Sequence, residues 1–146
     1  GAVLGEHAAA LAEAGLKYAW HNHDFEYGTL ADGSRPIDHL LASDNVGYEM
    51  DVAWVARAGK SIAREIEKEA DKIVAFHIKD SAPRGVTKDD GWTDIGSGVI
   101  DWRGLWPQIS GSRGAGLLVF ENDNPSDWHG FAANSYKFGA GLTGRG

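Results

Sequence analysis

The chain has 146 residues, 42% of them hydrophobic and 24% charged, with a formal net charge of −7 at pH 7. This composition is typical of one globular domain with a real core and excludes a disordered chain, and the acidic balance argues against a general nucleic-acid surface. No run approaches the roughly 20 apolar residues of a membrane helix, and the absence of cysteine excludes disulfides and thiolate metal ligands. We therefore expect a cytoplasmic protein that binds neither nucleic acid nor membrane, in which any metal has only oxygen and imidazole ligands.

Hydrophobic periodicity and turn residues predict helices and strands in alternation. A first helix covers residues 3–14, with Gly15 as its C-terminal cap, and a strand follows at 16–23. After a loop, Pro36 begins a helix to about Ala42. The remaining predicted elements are a strand at 46–51, a helical turn at 52–58, a helix at 61–70, a strand at 73–79, a glycine-rich excursion at 81–99, a helix at 101–109, a strand at 116–121, a helix at 126–138 and a flexible glycine-rich tail at 139–146. One helix followed by four βα units predicts an α/β fold with a parallel sheet, in a single domain over residues 1–146.

A residue that could bind a metal ion lies at or near the carboxyl end of each of the four predicted strands. These residues are His21, Asp51, His77 and Glu121. Functional side chains of parallel α/β sheets lie at the carboxyl ends of the strands, so we expect the four to converge. Two carboxylates and two imidazoles suit one divalent cation, which could be Mn²⁺, Mg²⁺, Co²⁺, Fe²⁺ or Zn²⁺. The alternative is that these residues are strand-end caps or ion-pair partners, which their repetition on successive strands disfavours.

Three residues are candidates for proton transfer and charge stabilisation. Glu121 and Glu26 could act as general acid or base, although Glu26 could equally be a solvated loop carboxylate. Lys79 has the same strand parity as His77 and could stabilise an enolate-like oxygen, the alternative being a surface lysine.

Three further residues are candidates for substrate binding. His23 shares the parity of His21, so one imidazole could bind metal while the other faces substrate. Trp54 could form an apolar wall against a sugar face, although tryptophans more often serve packing, and Asp80 completes the set. Glu49 has the parity of Asp51 and is a candidate to support a metal ligand.

Five motifs in this order resemble those of the sugar phosphate isomerase/epimerase family, a group of xylose isomerase-like TIM barrels. They are HNHDFE at 21–26, MDVAW at 50–54 with RAGK at 57–60, FHIKD at 76–80, GSGVIDW at 96–102 and END at 121–123. The resemblance covers about residues 5–138 and implies the C-terminal half of a (β/α)₈ barrel, with one divalent cation at its mouth. It places Asp51, His77 and Glu121 on the family's ligand positions. Related ketose epimerases have a glutamate as first metal ligand, whereas this chain offers His21 or His23 at that place. The two-glutamate mechanism of those epimerases would therefore lack one of its bases here. Glu26 is the candidate substitute for the missing base.

The resemblance implies a metal-dependent isomerase or epimerase that abstracts a proton next to the carbonyl of a sugar, keto-sugar or sugar phosphate. A keto-sugar or inosose dehydratase or lyase would use the same site. A different class of function is a catalytically inactive half-barrel that only binds metal or ligand. The related abasic-site endonucleases are disfavoured, because they need more metal ligands and a basic DNA-binding face.

The length of the chain also bears on its partners. A full barrel usually needs about 250 residues, and this chain of 146 begins with Gly1 and has Met50 as its only methionine. We therefore expect it to be part of a longer protein. Four parallel strands would leave two unpaired edges, so we expect a missing N-terminal half, or a second copy in a homo-oligomer, to complete the barrel.

Overall fold

The computed structural model of the chain describes residues 1–144, in which helices flank a four-stranded parallel sheet. The sheet contains β1 (Tyr18–His21), β2 (Val46–Asp51), β3 (Ile73–Ile78) and β6 (Leu118–Phe120), paired in that order. Two short strands, β4 (Asp80–Ser81) and β5 (Trp92–Thr93), form an antiparallel hairpin. The helices are α1 (Ala2–Glu13), α2 (Pro36–Leu40), α3 (Val52–Arg57), α4 (Ile62–Lys68), α5 (Trp102–Gly111) and α6 (Trp128–Thr143). Within residues 1–144, none of these helices has the length and apolar character needed to cross a membrane.

The two faces of the sheet differ in burial. On β2, Val46, Tyr48 and Met50 are fully buried in the core shared with the helices, whereas the alternate residues Gly47 and Glu49 are only half-buried. This period of two follows from the pleat of a strand. The helix-covered face therefore holds the hydrophobic core, and the opposite face carries the polar side chains.

The helix ends explain several sequence signals. Gly15 has a φ of 74° and ends α1 in a Schellman motif, with Gly15 N–H donating to Ala12 and Leu16 N–H to Leu11. Ser61 caps α4 by accepting from Arg64 N–H.

The sequence prediction was wrong in two regions. The glycine-rich excursion at 81–99 contains β5 and a 3₁₀ turn at Lys88–Gly91, which periodicity could not reveal in so short a segment. The last helix does not end at Phe138 but continues to Thr143, through the first five residues of the predicted tail. Gly139 packs directly under the Phe120 ring, where a Cβ atom would collide, so this glycine serves helix–sheet packing. Residues 145 and 146 of the predicted tail lie outside the described residues.

Candidate metal centre

The structure brings His21, Asp51, His77 and Glu121 together at one edge of the sheet. One potential ligand atom from each residue lies within 4.8 Å of all the others. The strand register explains this convergence, because Asp51 pairs with His77, and Glu121 follows β6, whose Val119 also pairs with His77. The four residues predicted from the sequence as metal ligands therefore form one cluster.

The two carboxylate oxygens of Asp51 have different roles, one in capping a helix and one in the cluster. Oδ1 accepts hydrogen bonds from Ala53 N–H at 2.9 Å and Trp54 N–H at 3.0 Å, and so caps α3. Oδ2 is buried and forms no hydrogen bond within the described chain, and the same is true of His21 Nε2. These two atoms lie 3.4 Å apart. Buried polar atoms without hydrogen bonds are costly, so this pair is well suited to bind a ligand.

The donor set fits a divalent cation. Two ligand atoms at about 2.1 Å from one tetrahedral ion are about 3.4 Å apart, which matches the spacing of His21 Nε2 and Asp51 Oδ2. The carboxylates of Asp51 and Glu121 would balance the charge of the ion, and imidazole with carboxylate ligands suits borderline metals. The residues present thus fit the metal that the sequence predicts.

His77 is held between two carboxylates. Its Nδ1 lies 2.5 Å from Glu121 Oε2, and its Nε2 lies 2.7 Å from Glu49 Oε1. Burial lowers the pKa of His77, but the bonds to Glu121 and Glu49 outweigh it and raise the pKa above its usual 6.5. The bond from His77, opposed by burial and aided by the charge of Lys79, lowers the pKa of Glu121 to about 2. A carboxylate on the far ring nitrogen is the usual way in which proteins orient a metal-binding histidine, so Glu49 has the geometry of that support.

Lys79 is a buried cation beside the cluster and not a surface lysine. Its side chain is 1% exposed, and Nζ lies 2.5 Å from Asp123 Oδ1, 3.5 Å from Glu121 Oε2 and 3.8 Å from Asp51 Oδ2. The ammonium also lies 4.6 Å from the centre of the Trp92 ring. Burial is tolerated because carboxylates and an aromatic face surround the charge.

Aromatic rings form a wall next to the cluster. The His23 ring stacks on His21 with centroids 5.3 Å apart and lies 5.1 Å from Trp54. Trp54 in turn meets Trp92 edge to face at 4.8 Å, and the Arg57 guanidinium lies 3.4 Å from the centre of the Trp92 ring. His21 and His23 therefore face the same side, as their spacing predicted, and Trp54 lies beside them.

Glu26 occupies a different environment from the one its sequence position suggested. It is 1% exposed, and its carboxylate accepts hydrogen bonds from the Trp20 indole N–H at 2.9 Å and from His23 N–H at 2.5 Å. Both oxygens are thus engaged in holding the turn after β1. This geometry gives Glu26 a structural role and removes it from our candidates for proton transfer.

Asp80 is likewise an internal anchor. Its carboxylate is fully buried and holds the loop that leads to α5. It accepts hydrogen bonds from the backbone N–H groups of Ser81, Gly96, Gly98 and Ile100 and from the indole N–H of Trp102. With both oxygens taken by protein donors, Asp80 is not part of the substrate contacts that we propose.

Two buried residues near the site were missed in the sequence. Trp92 lies in the glycine-rich excursion, where no periodicity marks it. Asn22 is fully buried, and its Oδ1 accepts from the Tyr48 hydroxyl at 2.8 Å and from Asp51 N–H at 2.9 Å. His21 and His23 face one side of the strand, so the alternation of side chains was a signal that Asn22, between them, faces the opposite, core side.

Comparison with known proteins agrees with this fold. The sequence model of the xylose isomerase-like TIM barrel matches residues 2–138, so the chain belongs to this family. The structure resembles a sugar phosphate isomerase/epimerase from Parabacteroides distasonis, with a TM-score of 0.76 and 16% identity over 93% of this chain and 51% of that one. It also resembles the IolI protein with a bound zinc atom, with a TM-score of 0.72 and 19% identity over 98% of this chain and 54% of that one.

A third similar structure is the 3-keto-D-glucoside 4-epimerase YcjR from E. coli, with a TM-score of 0.62 and 19% identity over 94% of this chain and 49% of that one. The chain therefore spans about half the length of these solved structures. No curated protein matches its sequence. The comparisons agree with the prediction of a partial TIM barrel of the xylose isomerase-like class.

Proposed function

We propose that this chain forms the metal-binding half of an enzyme that isomerises or epimerises a sugar, keto-sugar or sugar derivative. The observation that carries the proposal is the convergence of four potential ligand atoms within 4.8 Å, two of them buried without a hydrogen bond. The family and the similar structures support it, since they include a sugar phosphate isomerase/epimerase, a keto-glucoside epimerase and a zinc-binding protein.

In this proposal His21, Asp51, His77 and Glu121 hold one divalent cation. Such a cation, when bound, polarises a carbonyl and acidifies the C–H beside it. Glu121 serves as a ligand and not as the base, because a carboxylate whose pKa lies near 2 accepts protons weakly at neutral pH. Glu49 holds His77 in the orientation and tautomer that leave Nδ1 facing the cluster.

His23 and Lys79 are the proposed groups that act on the substrate. The His23 ring lies beside His21 at the edge of the cluster, and in this proposal it exchanges a proton with a carbon of the bound sugar. Lys79 donates to the oxygen on which negative charge develops, since Asp123 holds its ammonium beside Glu121. Trp54 packs against the apolar face of the sugar and excludes water.

A dehydratase or lyase is the second candidate. It would begin with the same proton abstraction and then lose a β-substituent. One similar structure is the probable 3-DHS dehydratase AsbF from Bacillus anthracis, with a TM-score of 0.70 and 9% identity over 97% of this chain and 54% of that one. Analysis of the product separates the two reactions, because elimination creates a new double bond and epimerisation does not.

Proton exchange provides the central test. The metal-loaded protein would be incubated with a ketose in D₂O, and NMR would follow deuterium at the carbon next to the carbonyl. We expect exchange that needs the metal and is lost in Asp51→Asn. This variant removes the anionic ligand but retains a good cap for α3, because asparagine caps helices as well as aspartate.

Asp101→Asn is the matched control. Asp101 caps α5 by accepting from Gly104 N–H at 3.0 Å and lies outside the cluster. Exchange should be unchanged in this control. If the metal binds to the wild-type protein in a completed barrel and no exchange occurs, the protein only binds its ligand and the proposed catalysis is wrong.

A further inference from the structure

A cavity of about 260 Å³ lies between the hairpin loop and the start of α6, in the loops that follow β3 and β6. It adjoins the proposed metal centre in two places. Asn122, which lines the cavity, follows Glu121 directly, and Trp92, which also lines it, has its ring centre 4.6 Å from Lys79 Nζ. A substrate that reached the metal centre could extend into this cavity.

The position of the cavity would suit a phosphate group in many barrels. In the C-terminal half of a TIM barrel, β3 and β6 correspond to the last two strands, and the loops after these strands commonly bind a substrate phosphate with a helix N-terminus. The helix supplies free N–H groups and the positive end of its dipole. Here the helix in this place is α6, with 16 residues.

The N-terminus of α6 is already occupied by a carboxylate of the chain itself. Asp127 caps the helix, with Oδ1 accepting from Gly130 N–H at 2.9 Å, and both residues line the cavity. An anion arriving here would have to displace or approach this carboxylate. The helix end that could bind a phosphate is thus satisfied internally.

The other charges around the cavity also oppose an anion. Asp89 and Asp94 line it together with Asp127, and among the described lining residues Lys88 is the single cation. Asp89 is held in place by Ser126 N–H at 3.0 Å. Three carboxylates against one ammonium give the cavity a net negative charge.

The nearby cations are engaged elsewhere. Lys79 is bound to Asp123, and the Arg57 guanidinium donates to the backbone carbonyls of Asp90 and Gly91 at 3.2 and 3.3 Å. Neither residue is among those that line the cavity. A phosphate in the cavity would therefore depend on Lys88 for compensation.

We infer that the substrate of the proposed site is an uncharged sugar and not a sugar phosphate, and that this cavity receives an uncharged sugar ring. The inference rests on the proposed function, whose substrate it narrows. Phe131 supplies apolar surface, and Asn122, Asn134 and the carboxylates supply acceptors and donors for hydroxyl groups. This combination suits a neutral polyhydroxylated ring.

The test compares the metal-loaded wild-type protein with Asp127→Ser. Serine is an equally good helix cap, so the variant keeps α6 capped while removing the negative charge. Inorganic phosphate, a free hexulose and the corresponding hexulose phosphate are the probes, and NMR shifts of the Gly130 amide and the Trp92 indole report binding. We expect the free hexulose to bind wild type at least tenfold more tightly than its phosphate, and Asp127→Ser to gain phosphate binding by tenfold or more.

Asp101→Ser is the matched control, because it makes the same change at the cap of α5, away from the cavity. It should behave as wild type with all three probes. Wild-type protein that binds inorganic phosphate at Gly130, or prefers the hexulose phosphate, would overturn the inference. Absence of proton exchange with both sugars would instead overturn the proposed function, and the phosphate titration, which needs no turnover, would still decide the charge of the ligand.

Discussion

Replacing Asp80 by alanine tests whether this residue is an internal anchor or a substrate ligand. The change removes one buried carboxylate that accepts five hydrogen bonds. The donors are the N–H groups of Ser81, Gly96, Gly98 and Ile100 and the indole of Trp102. Hydrogen bonds to a charged group contribute about 1.5–3 kcal/mol each, but such terms are not additive, and water entering the space satisfies some donors.

Loss of one partner from a buried charged network costs about 3–5 kcal/mol, and we expect Asp80→Ala to fall in this range. Since the free energy of unfolding of a domain is about 5–15 kcal/mol, the variant would lose a large part of its stability. With a urea m-value of about 2 kcal/mol per molar, the midpoint should fall by about 1.5–2.5 M. Urea unfolding followed by circular dichroism measures this.

The control is Asp101→Ala, which removes a helix cap with one side-chain bond, to Gly104 N–H, and should cost about 1 kcal/mol. If Asp80→Ala lowered the free energy of unfolding by less than about 1 kcal/mol, the reasoning would be refuted, because leaving five buried donors without their acceptor should cost more than that. If the variant were stable and bound sugar poorly, Asp80 would be a substrate ligand after all.

Four other perturbations address the site and the buried network beside it. Glu49→Gln should weaken metal binding by about 10- to 100-fold in calorimetric titrations, with little change in unfolding of the metal-free protein, because Glu49 orients His77. The metal-free protein should be stabilised by the His77–Glu121 pair most between about pH 4.5 and 6.5, the ordinary values of the two groups. The raised pKa of His77 means that its contribution is lost as the pH rises through the folded value, and the lowered pKa of Glu121 means that its contribution is lost as the pH falls towards 2. Glu121→Gln should lower the pKa of His77 in an NMR titration, and an unchanged value would show that the two side chains are not bonded in solution. Tyr48→Phe should cost about 1–2 kcal/mol in urea unfolding, because it removes the hydroxyl that donates to Asn22 and contacts Tyr27 inside the core; a neutral effect would contradict the buried network.

The strand-end cluster was predictable from the sequence because two local signals coincide there. Each strand is an apolar run that ends in a metal-ligand residue type, and parallel strands place their carboxyl ends at one edge. Asp51 and His77 could be chosen as candidate metal ligands without any knowledge of side-chain contacts. The same reasoning predicted the βα order and the parallel sheet, and its errors lay in short elements such as β5 and in the length of α6.

Glu26 and Asp80 show what this reasoning could not distinguish. Both are carboxylates just past a strand, as Glu121 is, and the sequence offers no means of separating the three. Their roles depend on donors supplied by tertiary packing, such as the Trp20 indole for Glu26 and Trp102 for Asp80. A buried carboxylate that finds enough protein donors becomes structural, whereas one that lacks them remains free to bind a ligand.

The amino-acid sequence by itself therefore determined the βα order, the four strand ends and the residue types that converge there, since these depend on periodicity within short segments. The tertiary structure alone decided which carboxylates are satisfied internally, because their partners lie far along the chain. It also decided that Asp51 keeps one oxygen free while the other caps α3, and that Asp127 fills the helix end where an anion would otherwise bind. The opposite roles of these two aspartates arise from the atoms around each one, which no local pattern specifies.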